Sequence, residues 1–111
     1  MPAALYNLTI EQGADYSKSI VIRNADGSLR DLTGQSFRMQ IREHYHSPIV
    51  LAQASLNVEL ANSRVTFSLT AEQTSALDVK RAVYDLEMFN SGGNVVRLLK
   101  GSVDIEYEVT R

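Results

Sequence analysis

Cysteine is missing from this 111-residue chain, which removes disulfide staples and thiolate metal sites from consideration. Its absence also fits a reducing compartment. No charge dominates: 11 basic and 13 acidic residues leave a net charge of −2, with no long run of either sign. Nucleic-acid binding leans on Lys and Arg that neutralise phosphates, so no nucleic-acid partner is expected. No apolar run nears the roughly 20 residues of a membrane span. The opening Met-Pro-Ala-Ala-Leu-Tyr has no basic segment leading into an apolar one. Neither a membrane partner nor a secretion signal is therefore expected. Catalytic signatures are equally scarce. There is no cysteine nucleophile, no Gly-x-Ser-x-Gly elbow and no histidine spacing of the triad kind. Gly92-Gly93 does not open a helix, so no phosphate cradle is read. The expectation is a non-enzyme without a cofactor.

What the chain does have is period two. Ala82, Tyr84, Leu86 and Met88 alternate with Val83, Asp85, Glu87 and Phe89, and Val103, Ile105, Tyr107 and Val109 alternate with Asp104, Glu106 and Glu108. Such patterning puts one set on a buried sheet face and the other toward water. Asn90 to Asn94 supply the Gly and Asn of a hairpin turn. Earlier, Tyr6, Leu8 and Ile10 mark a first strand, Tyr16 to Arg23 a second, and Phe37, Met39 and Ile41 the cleanest alternation of the first half. Asn24 to Ser28 and Thr33-Gly34 break the chain between them. Ile49 to Ala54, Asn57 to Leu60, and Val65, Phe67 and Leu69 complete a set of about eight strands.

Thr70-Ala71-Glu72-Gln73 has the form of a capping box, which predicts one helix of about two turns, Ala71 to Leu77. No repeat or linker divides the chain, so residues 1–111 read as one domain, long enough for a two-layer core. Short strands with frequent turns predict an all-β, immunoglobulin-like antiparallel sandwich, with a small barrel as the alternative. Phe37, Met39, Ile41, Phe67, Leu69, Tyr84, Leu86, Val103 and Ile105 are the expected core. Tyr84, two residues before Leu86, reads either as a core tyrosine or as a corner tyrosine bonded to upstream backbone.

Three surface features carry the functional expectations. His44 and His46 flank Tyr45 beside Glu43, in a loop closed by Pro48. A His-x-His pair can present two imidazoles to one metal, but zinc needs further ligands, so a polar loop end is preferred and no metal is expected. Asp104, Glu106 and Glu108 form an acidic stripe with Cβ atoms roughly 6.5 to 7 Å apart, from the strand rise. That is wide for one Ca²⁺ ion. A solvated face, or one meeting Arg38 and Arg42, is the better reading. Val83 and Phe89 add apolar contact on an outer face. Together His44, Tyr45, His46, Val83, Phe89, Asp104, Glu106 and Glu108 are the expected interface.

In order along the chain, Tyr6 to Ala14, Asp31-Leu32-Thr33-Gly34, Phe37 to Arg42, Ala82 to Glu87 and Val103 to Arg111 resemble a family of small structural proteins of tailed bacteriophages. They are similar to the N-terminal immunoglobulin-like module of phage baseplate upper proteins. The resemblance implies a virion building block, synthesised in the host cytoplasm and placed on the tail side as a baseplate, neck or fibre-attachment adaptor. Its partners would be other phage structural proteins and copies of itself in a symmetric assembly, docking through sheet edges and loops. Those proteins continue into coiled-coil and receptor-binding regions, whereas this sequence runs to Arg111, which favours an adaptor over a receptor binder. A capsid decoration protein is the alternative, and a small ligand- or metal-binding β-module a further one.

Overall fold

Alternating sequence becomes nine strands in two facing sheets in the computed structural model, which describes residues 4–109. Met1–Ala3 and Thr110–Arg111, the ends of the expected domain and of the last resemblance landmark, lie outside the described residues. In chain order the strands are β1 (Ala4–Leu5), β2 (Leu8–Glu11), β3 (Tyr16–Val21), β4 (Ser36–Arg42), β5 (Ala52–Gln53), β6 (Ser55–Glu59), β7 (Arg64–Leu69), β8 (Arg81–Phe89) and β9 (Val95–Glu106). The one α-helix among the described residues, α1 (Ala71–Ser75), joins β7 to the segment before β8. The larger sheet has the order β1-β9-β8-β4-β5, with β2 also on β9, and the smaller one β3-β7-β6. Apart from the first strand, this is the B-E-D and C-F-G arrangement of an immunoglobulin-like sandwich.

One pairing departs from the expected antiparallel pattern. The first strand, interrupted at Tyr6-Asn7, runs parallel to β9 through both of its halves. Alternation is the same for either direction, so the sequence pattern did not distinguish them. Gly101 makes room for the interruption. A Cβ there would overlap the Tyr6 carbonyl, so the interrupted strand can lie this close alongside β9 only where β9 has no side chain. Around that point the Tyr84 hydroxyl donates to the Tyr6 carbonyl at 2.5 Å, the Tyr6 N–H donates to Lys100 O at 2.9 Å, and the Ser102 N–H donates to Asn7 Oδ1 at 3.0 Å. Tyr84 therefore bonds upstream backbone as one reading held, but its acceptor is the first strand and not a nearby corner. Burial pushes the Tyr84 phenol well up, which keeps it a donor throughout the ordinary pH range.

Between the sheets lie Leu8, Ile10, Met39, Ile41, Phe67, Leu69, Leu77, Ala82, Tyr84, Leu86, Val103 and Ile105, joined by a second cluster of Ile22, Leu32, Val65 and Met88. Of the expected core only Phe37 is half-buried, because it sits near the mouth of the second cluster. The capping box forms as read: Thr70 Oγ1 accepts from the Gln73 N–H, and Gln73 Oε1 accepts from the Thr70 N–H. The helix stops at Ser75, short of the expected Leu77. Leu77 is drawn wholly into the core, and its carbonyl accepts from Gln12 Nε2 rather than continuing the helix. The segment 52–59 changes sheets midway. β5 pairs with β4, β6 pairs with β7, and Ala54 between them still donates to Met39 O at 3.1 Å.

Candidate functional site

Each sheet turns one face outward, and the two faces are chemically unlike. On the larger sheet the cross-strand register aligns Arg38 with Glu87 and Arg97, Gln40 with Asp85 and Lys100, Arg42 with Val83 and Ser102, and Arg81 with Asp104. These are the outward positions of β4, β8 and β9, and oppositely charged neighbours meet. Arg38 Nη2 lies 2.8 Å from Glu87 Oε1, Arg97 Nε 3.2 Å from Asp85 Oδ2, and Arg81 Nε 2.9 Å from Asp104 Oδ1. The Arg38 guanidinium also stands 5.1 Å from the centroid of the Phe89 ring.

In the middle of this face is a groove of about 320 Å³ lined by Gln40, Arg42, Tyr45, Val83, Asp85, Arg97 and Lys100, with Tyr84 at its floor. Three cations surround one carboxylate. Arg42 is anchored by donating to Ser47 O at 2.8 Å and to Gln40 Oε1 at 3.0 Å, which ties the 43–48 loop to the sheet and holds Tyr45 at the groove's mouth. Tyr45 is 65% exposed there. Asp85 is half-buried, and its carboxyl is held above the usual range, first by desolvation and then by the neighbouring Glu87 charge. Arg97, Arg38 and Arg42 oppose that rise without cancelling it. The groove is thus a partly dry, net-positive pocket with an aromatic lip. It can accept a carboxylate or an acidic extended segment, with Lys100 in no ion pair among the described residues.

The expected interface residues divide. Tyr45 and Val83 line the groove, His44 and His46 stand exposed on either side of Tyr45, and Phe89 lies half-buried on the same face under Arg38. The acidic stripe does not hold together. Asp104 pairs with Arg81, while Arg38 and Arg42 are engaged elsewhere. Glu106 stands in register with Glu11 of β2. Glu108 lies beyond the end of β9, with its N–H donating to Gln12 Oε1. Among the described residues no three His, Cys, Asp or Glu side chains converge as metal ligands. Arg42, Asp85, Arg97 and Lys100 were missed as site residues. Their outward phase was legible on β4 and β8, but the adjacency of β4, β8 and β9 was not.

The outer face of the smaller sheet carries charge only at its end, where Arg64 Nη1 lies 3.9 Å from Glu59 Oε2. Its rows are Ser17–Ser68–Ser55, Ser19–Thr66–Asn57 and Val21–Arg64–Glu59. Ser19 and Thr66 hydroxyls are 2.8 Å apart and hydrogen-bond to each other.

No family model matches this chain, and no curated protein is significantly similar to it.

Proposed function

We propose that this protein is a structural component of a tailed-phage virion, a tail-side adaptor that works by protein–protein contact. The observation that carries the contact role is the groove on the larger sheet, where Arg42, Arg97 and Lys100 surround Asp85 beneath Tyr45. Arg and Tyr are the side chains that most often anchor protein interfaces, because each combines apolar area with a polar tip. An acidic extended segment of a neighbouring virion protein would place its carboxylate near Lys100 and its apolar part against Tyr45 and Val83. The virion setting rests on the sequence resemblance. Two of its landmarks are the Asp31–Gly34 turn and the Phe37–Arg42 strand that leads into the groove.

The test is a Tyr45→Ala, Lys100→Glu double variant in the producing phage. Its incorporation into purified particles, measured by mass spectrometry, should fall while the melting temperature of the isolated protein stays within a few degrees, both residues being exposed surface positions. Undiminished incorporation would remove the groove from the contact. Absence of the wild-type protein from particles would remove the virion role. Localisation to the head by cryo-electron microscopy would replace the tail-side adaptor with the capsid decoration reading.

A further inference from the structure

The two outer strands of the smaller sheet, β3 and β6, each have β7 as their only strand neighbour among the described residues. A free strand edge is a template for another strand unless something blocks it. The two edges are built differently. On β3, Lys18 sits at an inward-facing position opposite Phe67, with its ammonium 5.0 Å from the Tyr6 ring centroid. An inward-pointing charge on an edge strand is a barrier to further pairing. On β6 the inward positions are Leu56 and Val58, both half-buried, and the strand carries no proline and no charge except Glu59 at its end.

The parity of the ladder says which backbone groups are free. Ile22 N–H donates to Ser63 O at 2.8 Å, which makes Ile22–Ser63 a bonded pair continuing the β3–β7 ladder. Bonded and non-bonded pairs alternate in antiparallel sheets. Val65, Phe67 and Leu69 therefore turn their backbone groups toward β3, and Arg64, Thr66 and Ser68 toward β6. On β6, Ser55, Asn57 and Glu59 face β7 in return. The N–H and C=O groups of Leu56 and Val58 point out of the sheet.

We propose that this edge seats a symmetric dimer, in which β6 pairs antiparallel with β6 of a second copy about a two-fold axis at Asn57. Leu56 of one copy then faces Val58 of the other, and the four free N–H groups meet four free carbonyls. Neighbouring registers fail. Centring on Leu56 sets Val58 against Ala54, whose N–H already donates to Met39 O, and centring on Val58 sets Leu56 against Leu60, whose carbonyl already accepts from the Ser63 N–H. The Asn57 register places Ser55 opposite Glu59 and Asn57 opposite its own copy on the outer face, so no like charges oppose. On the inner face it covers Leu56 and Val58 with each other. The product is one continuous six-stranded sheet bearing the serine and threonine rows of both copies. This surface is separate from the groove and does not depend on it.

Because the chain has no cysteine, a single introduced thiol reports the register. Non-bonded antiparallel neighbours have Cα atoms about 4.5 Å apart, within disulfide reach. At position 55 the two copies would be about 14 Å apart, from strand rise and spacing. Both positions are exposed, so neither variant disturbs the core. Under mild oxidation Asn57→Cys should form a covalent dimer roughly tenfold faster or more than Ser55→Cys, which lies outside disulfide reach. Wild-type protein should sediment as a concentration-dependent dimer, and Leu56→Lys, which copies the Lys18 device, should shift it to monomer. Equal cross-linking at positions 55 and 57 would overturn the proposal. A wild-type protein that stays monomeric at every accessible concentration would also overturn it, and would leave the edge to a strand from another protein.

Discussion

The two outward faces of this sandwich share one core and differ in almost everything else. The larger sheet presents ion pairs and a net-positive groove, with half-buried charges such as Asp85. The smaller sheet presents mainly short polar side chains, of which Ser19 and Thr66 hydrogen-bond to each other, with one ion pair, Arg64 to Glu59, at its end. The difference teaches that alternation in a strand specifies only which residues face inward. What the outward residues do is decided by which strands become neighbours. Charged rows respond to salt and pH, whereas a hydroxyl row is nearly indifferent to both, so the two faces can be told apart in solution.

The largest expected effect tests the core on which both faces rest. Phe67, fully buried on β7 with Tyr16 6.5 Å away between ring centroids, should cost roughly 3–5 kcal/mol when changed to Ala, through lost burial and the cavity left behind. A loss below about 1 kcal/mol in denaturant unfolding would mean that the two sheets do not pack through β7.

Next in size is Gly101→Ala, which acts on the larger sheet alone. Its methyl group would meet the Tyr6 carbonyl, and overpacking of this kind costs about 1–3 kcal/mol. Hydrogen exchange should speed up at Leu8 to Glu11 and remain unchanged in β3, β6 and β7. Uniform loosening of both sheets would erase the contrast.

A smaller pair of variants sharpens it. Arg38→Ala removes the Glu87 pair and the contact over Phe89, and should cost up to about 1 kcal/mol at low salt, shrinking as salt rises. Thr66→Val on the opposite face should stay within about 0.5 kcal/mol at any salt, as surface changes do.

The smallest effect concerns Asp85. Its carboxyl is raised in the folded protein, first by desolvation, so the native state takes up a proton before the unfolded chain does. The folded protein is therefore penalised above the raised value, and the penalty is relieved on acidification through it toward the ordinary carboxylate range. Asp85→Asn should melt slightly higher than wild type at neutral pH, with the gap closing as pH falls. The opposite order in a pH series of melting curves would mean that the Arg97 pairing outweighs the desolvation.

Sequence legibility followed the same division. Thr70 and Gln73 were readable because both halves of a capping box lie within four residues, and β8 because its burial alternates without interruption from Ala82 to Met88. The acceptor of Tyr84 was not readable, since Tyr6 lies 78 residues away. The groove was hidden for a similar reason. It requires β4, β8 and β9 to be neighbours, and it depends on a register irregularity between Leu86 and Glu87 that brings Arg97 opposite Glu87. The stripe's outward position was readable, but not its partner: Asp104 meets Arg81 of the strand alongside and not Arg38 or Arg42.

The parallel run of the first strand beside the last has a mechanical consequence. β1 and β2 point the same way as β9, so opposed pulls on the start of β1 and the end of β9 drag the two strands past each other lengthwise. The hydrogen bonds between them then carry the load together, in shear, instead of opening one after another. Pulling apart the β8–β9 hairpin from its open end would peel the bonds singly. In single-molecule stretching, force applied through Ala4 and Glu106 should therefore meet a higher rupture force than force applied through Arg81 and Asp104. Gly101→Ala should lower the first and spare the second.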